Sequence, residues 1–130
     1  MERMKTAIVG CGSISTIYME SLTNGRFRIL ELVACSDMDE TRMRQSAERF
    51  GIRAMTLDEI LADASIELVI NLTTPAAHYP VTKRALLAGK HVFSEKMIAV
   101  ELEEGKELVA LANEKGLRLG VAPDTFLGAS

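Results

Sequence analysis

The stretch Gly10-Cys11-Gly12-Ser13-Ile14-Ser15 decides the fold. It stands where a β-rich run, Lys5 to Gly10, gives way to apolar residues at helical spacing, Ile14, Ile17, Tyr18 and Leu22. At such a junction the first glycine permits a tight turn and the second removes the Cβ that would hold a pyrophosphate off the backbone. The third small residue lets the helix approach the strand. Here that residue is Ser15, so the pattern reads GxGxxS. The helix beginning near Ile14 offers free N–H groups and its positive dipole end to phosphate. The same letters also serve an ordinary turn, so the reading depends on what surrounds them.

The next strand, Ile29 to Ser36, runs into Asp37, 25 residues after Gly12. An acid that binds a ribose is expected about 20 residues on, and the loop Asn24 to Arg28 holds the surplus. A carboxylate placed to take both adenosine ribose hydroxyls lies within about 4 Å of any 2′-phosphate, where like charges near a surface cost up to ~4 kcal/mol. Asp37 therefore predicts NAD rather than NADP. Arg42 and Arg44 are within reach of such a phosphate but read as a solvated helix face, and Met38 either covers the adenine or fills the strand end.

Further strand-like runs follow at Glu67 to Leu72, His91 to Ser94 and Arg118 to Ala122, with a weaker one at Arg53 to Met55. Helical spacing lies between them: Met43, Ala47 and Phe50; Val81, Ala85 and Leu86; Leu102, Leu108, Val109, Leu111 and Ala112. Alternating strands and helices require βαβ crossovers, and hence an α/β fold: a doubly wound parallel sheet (Rossmann fold), as a single three-layer domain. Asp58 is placed to cap a short helix at Glu59 to Ala62, and Gly51, Gly89 and Gly116 follow helix ends. In such a sheet a ligand lies over the carboxyl ends of the strands. Two polar tracts stand there, Asn71 to His78 and Phe93-Ser94-Glu95-Lys96-Met97. Thr73, Thr74 and Pro75 would line a cofactor near its centre. His78 is a general base by residue type, but at a helix N-terminus it reads as a cofactor-side residue bonded to backbone or ribose.

Composition narrows the remaining classes. The 130 residues carry 15 Lys and Arg against 18 acids, a net charge of −3, with no basic cluster for a nucleic acid to meet. No apolar run approaches the ~20 residues of a membrane span, and the charged start, Met1 to Lys5, lacks the pattern of a secretory signal. The expectation is a cytoplasmic protein. Cys11 and Cys35 show no CxxC or metal-ligand spacing and read as buried free thiols.

Taken in order, Gly10-Cys11-Gly12-Ser13-Ile14, Ser36-Asp37, Thr74-Pro75 with His78, and Ala88-Gly89-Lys90-His91-Val92-Phe93-Ser94-Glu95-Lys96 resemble the N-terminal part of the Gfo/Idh/MocA family. Its relatives include glucose-fructose oxidoreductase and inositol dehydrogenase. The resemblance implies an oxidoreductase moving hydride between a nicotinamide cofactor and a sugar, polyol or related hydroxy compound. It places Lys96 beside nicotinamide and substrate as the catalytic residue, with Glu95 fixing that lysine or contacting the nicotinamide ribose. The family tract reads Glu-Lys-Pro. Met97 stands where the proline belongs, and a non-proline cis bond would cost ~2.5–4 kcal/mol, so Lys96 is expected to be less rigidly aimed.

The resemblance further implies a dinucleotide-binding domain over residues 1–122, with 123–130 beginning the connection to a separate substrate domain and Asp124 facing the nicotinamide. Such a domain alone should bind NAD weakly and turn nothing over. Family subunits associate through the second domain's sheet, so a homo-oligomer of this chain would use another surface. Two other readings share the glycine turn and the acid. One is a non-catalytic NAD(P)-sensing domain; the other, an S-adenosylmethionine methyltransferase, leaves Glu95-Lys96 unexplained.

Overall fold

The computed structural model describes residues 3–23, 29–95 and 102–122. Eleven elements alternate along them. In order they are β1 (Met4–Val9), α1 (Ser13–Thr23), β2 (Leu30–Ser36), α2 (Glu40–Phe50), β3 (Arg53–Ala54), α3 (Leu57–Ala62), β4 (Leu68–Asn71), α4 (Pro75–Leu87), β5 (His91–Glu95), α5 (Leu102–Glu114) and β6 (Leu119–Ala122). The strands form one sheet in the order β3-β2-β1-β4-β5-β6, with every pairing parallel. The doubly wound sheet expected from the sequence is thus the fold.

The two windings leave β1 in opposite directions, and right-handed crossovers then put their helices on opposite faces. One buried cluster joins Ile8, Cys35 and Ile70 of the sheet to Tyr18, Met19 and Leu22 of α1 and Ala47 of α2. The other joins Ala7, Val9, Ala34, Val69 and Val92 to Ile60 of α3, Val81, Ala85 and Leu86 of α4, and Leu108 and Ala112 of α5. Alternation along β1 divides the clusters cleanly. In β2 a bulge intervenes, since Thr6 pairs with Leu32 but Ala7 with Ala34. That one extra residue resets the phase of the strand, turning Ala34 toward α3–α5 and Cys35 toward α1 and α2.

Several expectations need correction. Thr56, not Asp58, caps α3: its hydroxyl accepts from Glu59 N–H while the Glu59 carboxylate accepts from Thr56 N–H. This reciprocal pair satisfies two donors at once, which a carboxylate inside the first turn cannot do. Asp58 instead pairs with Arg84. Ile17, Leu102 and Val109 belong to helical apolar sets but are exposed. On α1 the buried stripe is Ser15, Tyr18, Met19 and Leu22; the fully buried Met19 follows Ser15 by one helical turn.

Candidate cofactor site

The carboxyl ends of β1 and β4 are adjacent strands that lead into crossovers on opposite faces, and this divergence opens the crevice where ligands of such sheets bind. Gly10 enters the turn at φ 105°. A Cβ there would lie 2.6 Å from the Leu72 carbonyl oxygen and 3.0 Å from the Thr73 nitrogen. The turn is therefore pressed against the β4–α4 loop, and its N–H is held by the Ser36 carbonyl at 2.7 Å. Gly12 differs: a Cβ built on it meets nothing within 4 Å. Its missing side chain leaves open space in front of α1, the feature a pyrophosphate requires. Ser15 fills the third position of the motif, 1% exposed, and its hydroxyl donates to the Gly12 carbonyl at 2.6 Å. Serine thus packs closely and also ties the turn to the helix. Ile14 packs against the same apolar cluster, and no acidic residue occupies the first turn of α1 to compete for its N–H groups.

Asp37 is joined directly to this turn. Its Oδ2 accepts from the Cys11 backbone N–H at 2.6 Å and its Oδ1 from the Asp39 N–H at 2.8 Å. Arg42 adds Nε on Oδ2 and Nη2 on Oδ1, both at 3.2 Å. Burial raises the Asp37 pKa, but the Asp39 N–H, the Arg42 guanidinium and the Cys11 N–H outweigh it and hold the carboxyl below its ordinary value. Arg42 is therefore the acid's partner rather than part of a purely solvated face; Arg44 does lie on that face, paired with Glu40. With the Asp37 side chain 7% exposed and that of Arg42 52% exposed, the guanidinium is the partner free to move. Met38, beside the acid, is 99% exposed at the rim.

The second loop is built on Asn71, the first residue of the polar tract Asn71 to His78, to which the sequence alone attached no role. It is 1% exposed. Its Nδ2 donates to the His78 carbonyl at 3.0 Å and to Thr82 Oγ1 at 2.8 Å, while its Oδ1 accepts from Thr73 N–H at 3.1 Å and Thr73 Oγ1 at 2.6 Å. One amide thus fixes the loop and the first turns of α4. An amide interrupting a buried strand is itself a signal, because such a group must find partners. Thr74 is the N-cap of α4 without a side-chain bond to it, and Pro75 follows at the first helical position; both are exposed. The His78 ring is buried, and neither ring nitrogen has a partner among the described residues. Burial lowers its pKa. Glu95 ends β5, in register with Ala122. Its side chain, that of Ser13, and the whole of Lys96, Met97 and Asp124 lie outside the described residues.

Residues 4–122 match the family described as "Oxidoreductase family, NAD-binding Rossmann fold". The chain belongs to the Gfo/Idh/MocA oxidoreductases. Within that family it is similar to an oxidoreductase of Schizosaccharomyces pombe, 36% identical over 124 residues that cover 93% of this chain and 34% of the relative. It also resembles the scyllo-inositol 2-dehydrogenase (NADP(+)) of Bacillus subtilis, at 32% identity over 123 residues, 93% of this chain and 33% of that one. Among solved structures, GenD2 from gentamicin A biosynthesis, in complex with NAD, superimposes with a TM-score of 0.87 at 32% identity, covering 99% of this chain and 38% of its own. The chain spans about a third of the length of the curated relatives it matches. It carries the nicotinamide-dinucleotide-binding fold of this family, and no helix among the described residues is long and apolar enough to cross a membrane.

Proposed function

We propose that this Gfo/Idh/MocA domain binds NAD(H) in preference to NADP(H), as the cofactor domain of an oxidoreductase acting on a sugar, polyol or related hydroxy compound. The observation that carries the reading is the Cys11–Asp37 hydrogen bond. It sets an ionised acceptor beside the open space at Gly12, so a pyrophosphate and an adenosine ribose would be held by one rigid corner. Gly12, the α1 N-terminus, Ser13 and Ile14 would take the phosphates. Asp37 would take the ribose diol, exchanging bonds from Arg42 for bonds from two hydroxyls, with Met38 over the adenine. Thr73, Thr74 and Pro75 would line the middle of the cofactor, and His78 would support that wall from beneath.

When bound, the nicotinamide supplies the hydride chemistry. What the protein contributes is position and a cation. Lys96, with Glu95 beside it, would donate a hydrogen bond to the substrate oxygen, which carries negative charge once an alcohol has lost its proton or a carbonyl has gained a hydride. Residues 1–122 would form the dinucleotide domain.

Calorimetric titration with NADH and NADPH tests the preference. NADH should bind at least tenfold more tightly, and Asp37→Ala should reduce that ratio several-fold by weakening NADH. Equal binding of the two by the unaltered chain removes the assignment.

A further inference from the structure

Two buried thiols have no part in the reading above. Cys11 sits inside the phosphate turn, 4% exposed, and Cys35 stands one residue before the end of β2, fully buried. Twenty-three residues separate them in sequence. The β1–β2 pairing and the bulge bring both into the cluster beneath α1 and α2. The Cys11 thiol donates to the Ser36 carbonyl at 3.5 Å, next to Cys35 in β2, and the Cys35 thiol to the Met43 carbonyl at 3.6 Å. Both are free in this structure.

We propose that Cys11 and Cys35 are an oxidation site, forming a reversible disulfide under hydrogen peroxide that weakens dinucleotide binding at the phosphate turn.

The two sulfurs are suited to different parts of this chemistry. The neighbouring Cys35 thiol holds the Cys11 pKa below its ordinary value, helped by the Ser46 hydroxyl and Arg42 and opposed by burial and Asp37. Cys11 also precedes the N-terminus of α1, a position that favours a thiolate. The neighbouring Cys11 and burial push Cys35 upward. Cys11 is thus the attacking sulfur and Cys35 the resolving one. The Cys11 thiolate attacks one oxygen of the peroxide, breaking the O–O bond to give a sulfenic acid and hydroxide. The Cys35 sulfur then attacks the sulfenic sulfur, forming the S–S bond and releasing the oxygen as water with the thiol proton. Two thiols lose two electrons and two hydrogens in all, and the peroxide becomes two waters.

The consequence for binding follows from packing. Drawing the two sulfurs to bonding distance pulls residue 11 toward β2. Gly10 approaches the Leu72 carbonyl so closely that even a Cβ would not fit between them, which leaves it little room on that side. The displacement therefore passes to Gly12 and the open face of the turn. By linkage, bound NADH should disfavour the disulfide at equilibrium by the same factor that the disulfide weakens NADH.

This inference rests on the turn being a dinucleotide site, and the experiment separates the two. The reduced chain is treated with hydrogen peroxide, alkylated under denaturing conditions, weighed and peptide-mapped, while NADH is titrated into reduced and oxidised protein. The expected result is a loss of 2 Da, no alkylation and a Cys11–Cys35 linked peptide. NADH binding should weaken at least tenfold, with recovery on adding dithiothreitol. Closing a loop of about 25 residues should also raise the melting temperature by roughly 10 °C. Cys35→Ser, or Cys35→Ala if serine prevents folding, should bind NADH like the reduced protein and leave Cys11 as a sulfenic acid trapped by dimedone. Two alkylatable thiols after peroxide, or a disulfide with unchanged NADH affinity, overturns the proposal. If the reduced chain binds no NADH, the turn assignment and the effect on binding both fail, and the mass alone still decides the oxidation site.

Discussion

The two halves of the crevice are held together by opposite means. On the β1–α1–β2 side a carboxylate, Asp37, gathers two backbone N–H groups and a guanidinium at the rim. On the β4–α4–β5 side a neutral amide, Asn71, spends its bonds on four internal partners and is sealed from solvent. Half of the donors around Asp37 belong to a half-exposed side chain that a ligand can displace. None of those around Asn71 do. The first half is thus a binding group held in readiness, and the second a strut that keeps the opposite wall still. Gly10, wedged between them, transmits the position of one to the other.

The sharpest way to break this arrangement is at that wedge. Gly10→Ala combines a positive φ with a Cβ 2.6 Å from a backbone oxygen, and strain plus overpacking should cost about 3–5 kcal/mol. Thermal denaturation should show a fall of more than 10 °C, or no cooperative transition. Gly12→Ala should do the reverse. Its Cβ meets nothing, so stability should stay within about 0.5 kcal/mol while NADH affinity falls about tenfold, or ~1.4 kcal/mol. If both variants lose stability, or both keep NADH, the division of labour within the motif is wrong.

Next in size is the strut. Asn71→Ala removes four hydrogen bonds and leaves the Thr82 hydroxyl, the Thr73 hydroxyl and N–H, and the His78 carbonyl short of a partner. Unsatisfied buried groups make this a loss of about 2–4 kcal/mol. Urea denaturation should show the midpoint falling with an unchanged m-value. A loss below about 1 kcal/mol would mean that the loop is held by packing alone.

The sequence made the first half legible and the second only partly so, for a physical reason. The glycine turn and its acid are local signals: each residue type is demanded by the backbone or the charge at its own position, so Gly10, Gly12 and Asp37 could be read directly. Arg42 was harder, since its role depends on which way a half-exposed side chain turns on α2. Asn71 was available as a buried amide, yet its partners, Thr73, His78 and Thr82, could be named only once α4 had been placed over β4. The bulge that sets Cys35 toward α1 has no local signature either. Helix caps show the same limit, because Thr56 and Asp58 are both plausible by type and the reciprocal bond of Glu59 decides between them.

The smallest expected effect sharpens the comparison most closely, because it separates the strut from the ring beside it. His78 gives its carbonyl to Asn71, but its imidazole finds no partner among the described residues. Replacing it by leucine keeps the backbone acceptor and removes two buried nitrogens, so at neutral pH stability should change by less than about 1 kcal/mol. The difference should appear in acid. Burial lowers the folded pKa of His78 below its ordinary 6.5, so the unfolded chain takes up the proton first. The associated stability is fully present above pH 6.5 and is lost as the pH falls toward the lower folded value. His78→Leu should therefore flatten the decline in melting temperature expected of the unaltered chain as the pH falls below about 6.5. The acid loss belonging to Asp37, whose pKa is lowered from 3.8, should remain at lower pH. Parallel profiles for the two proteins would mean that the ring is solvated or paired, and that this wall of the crevice is as open to ligand and water as the one opposite.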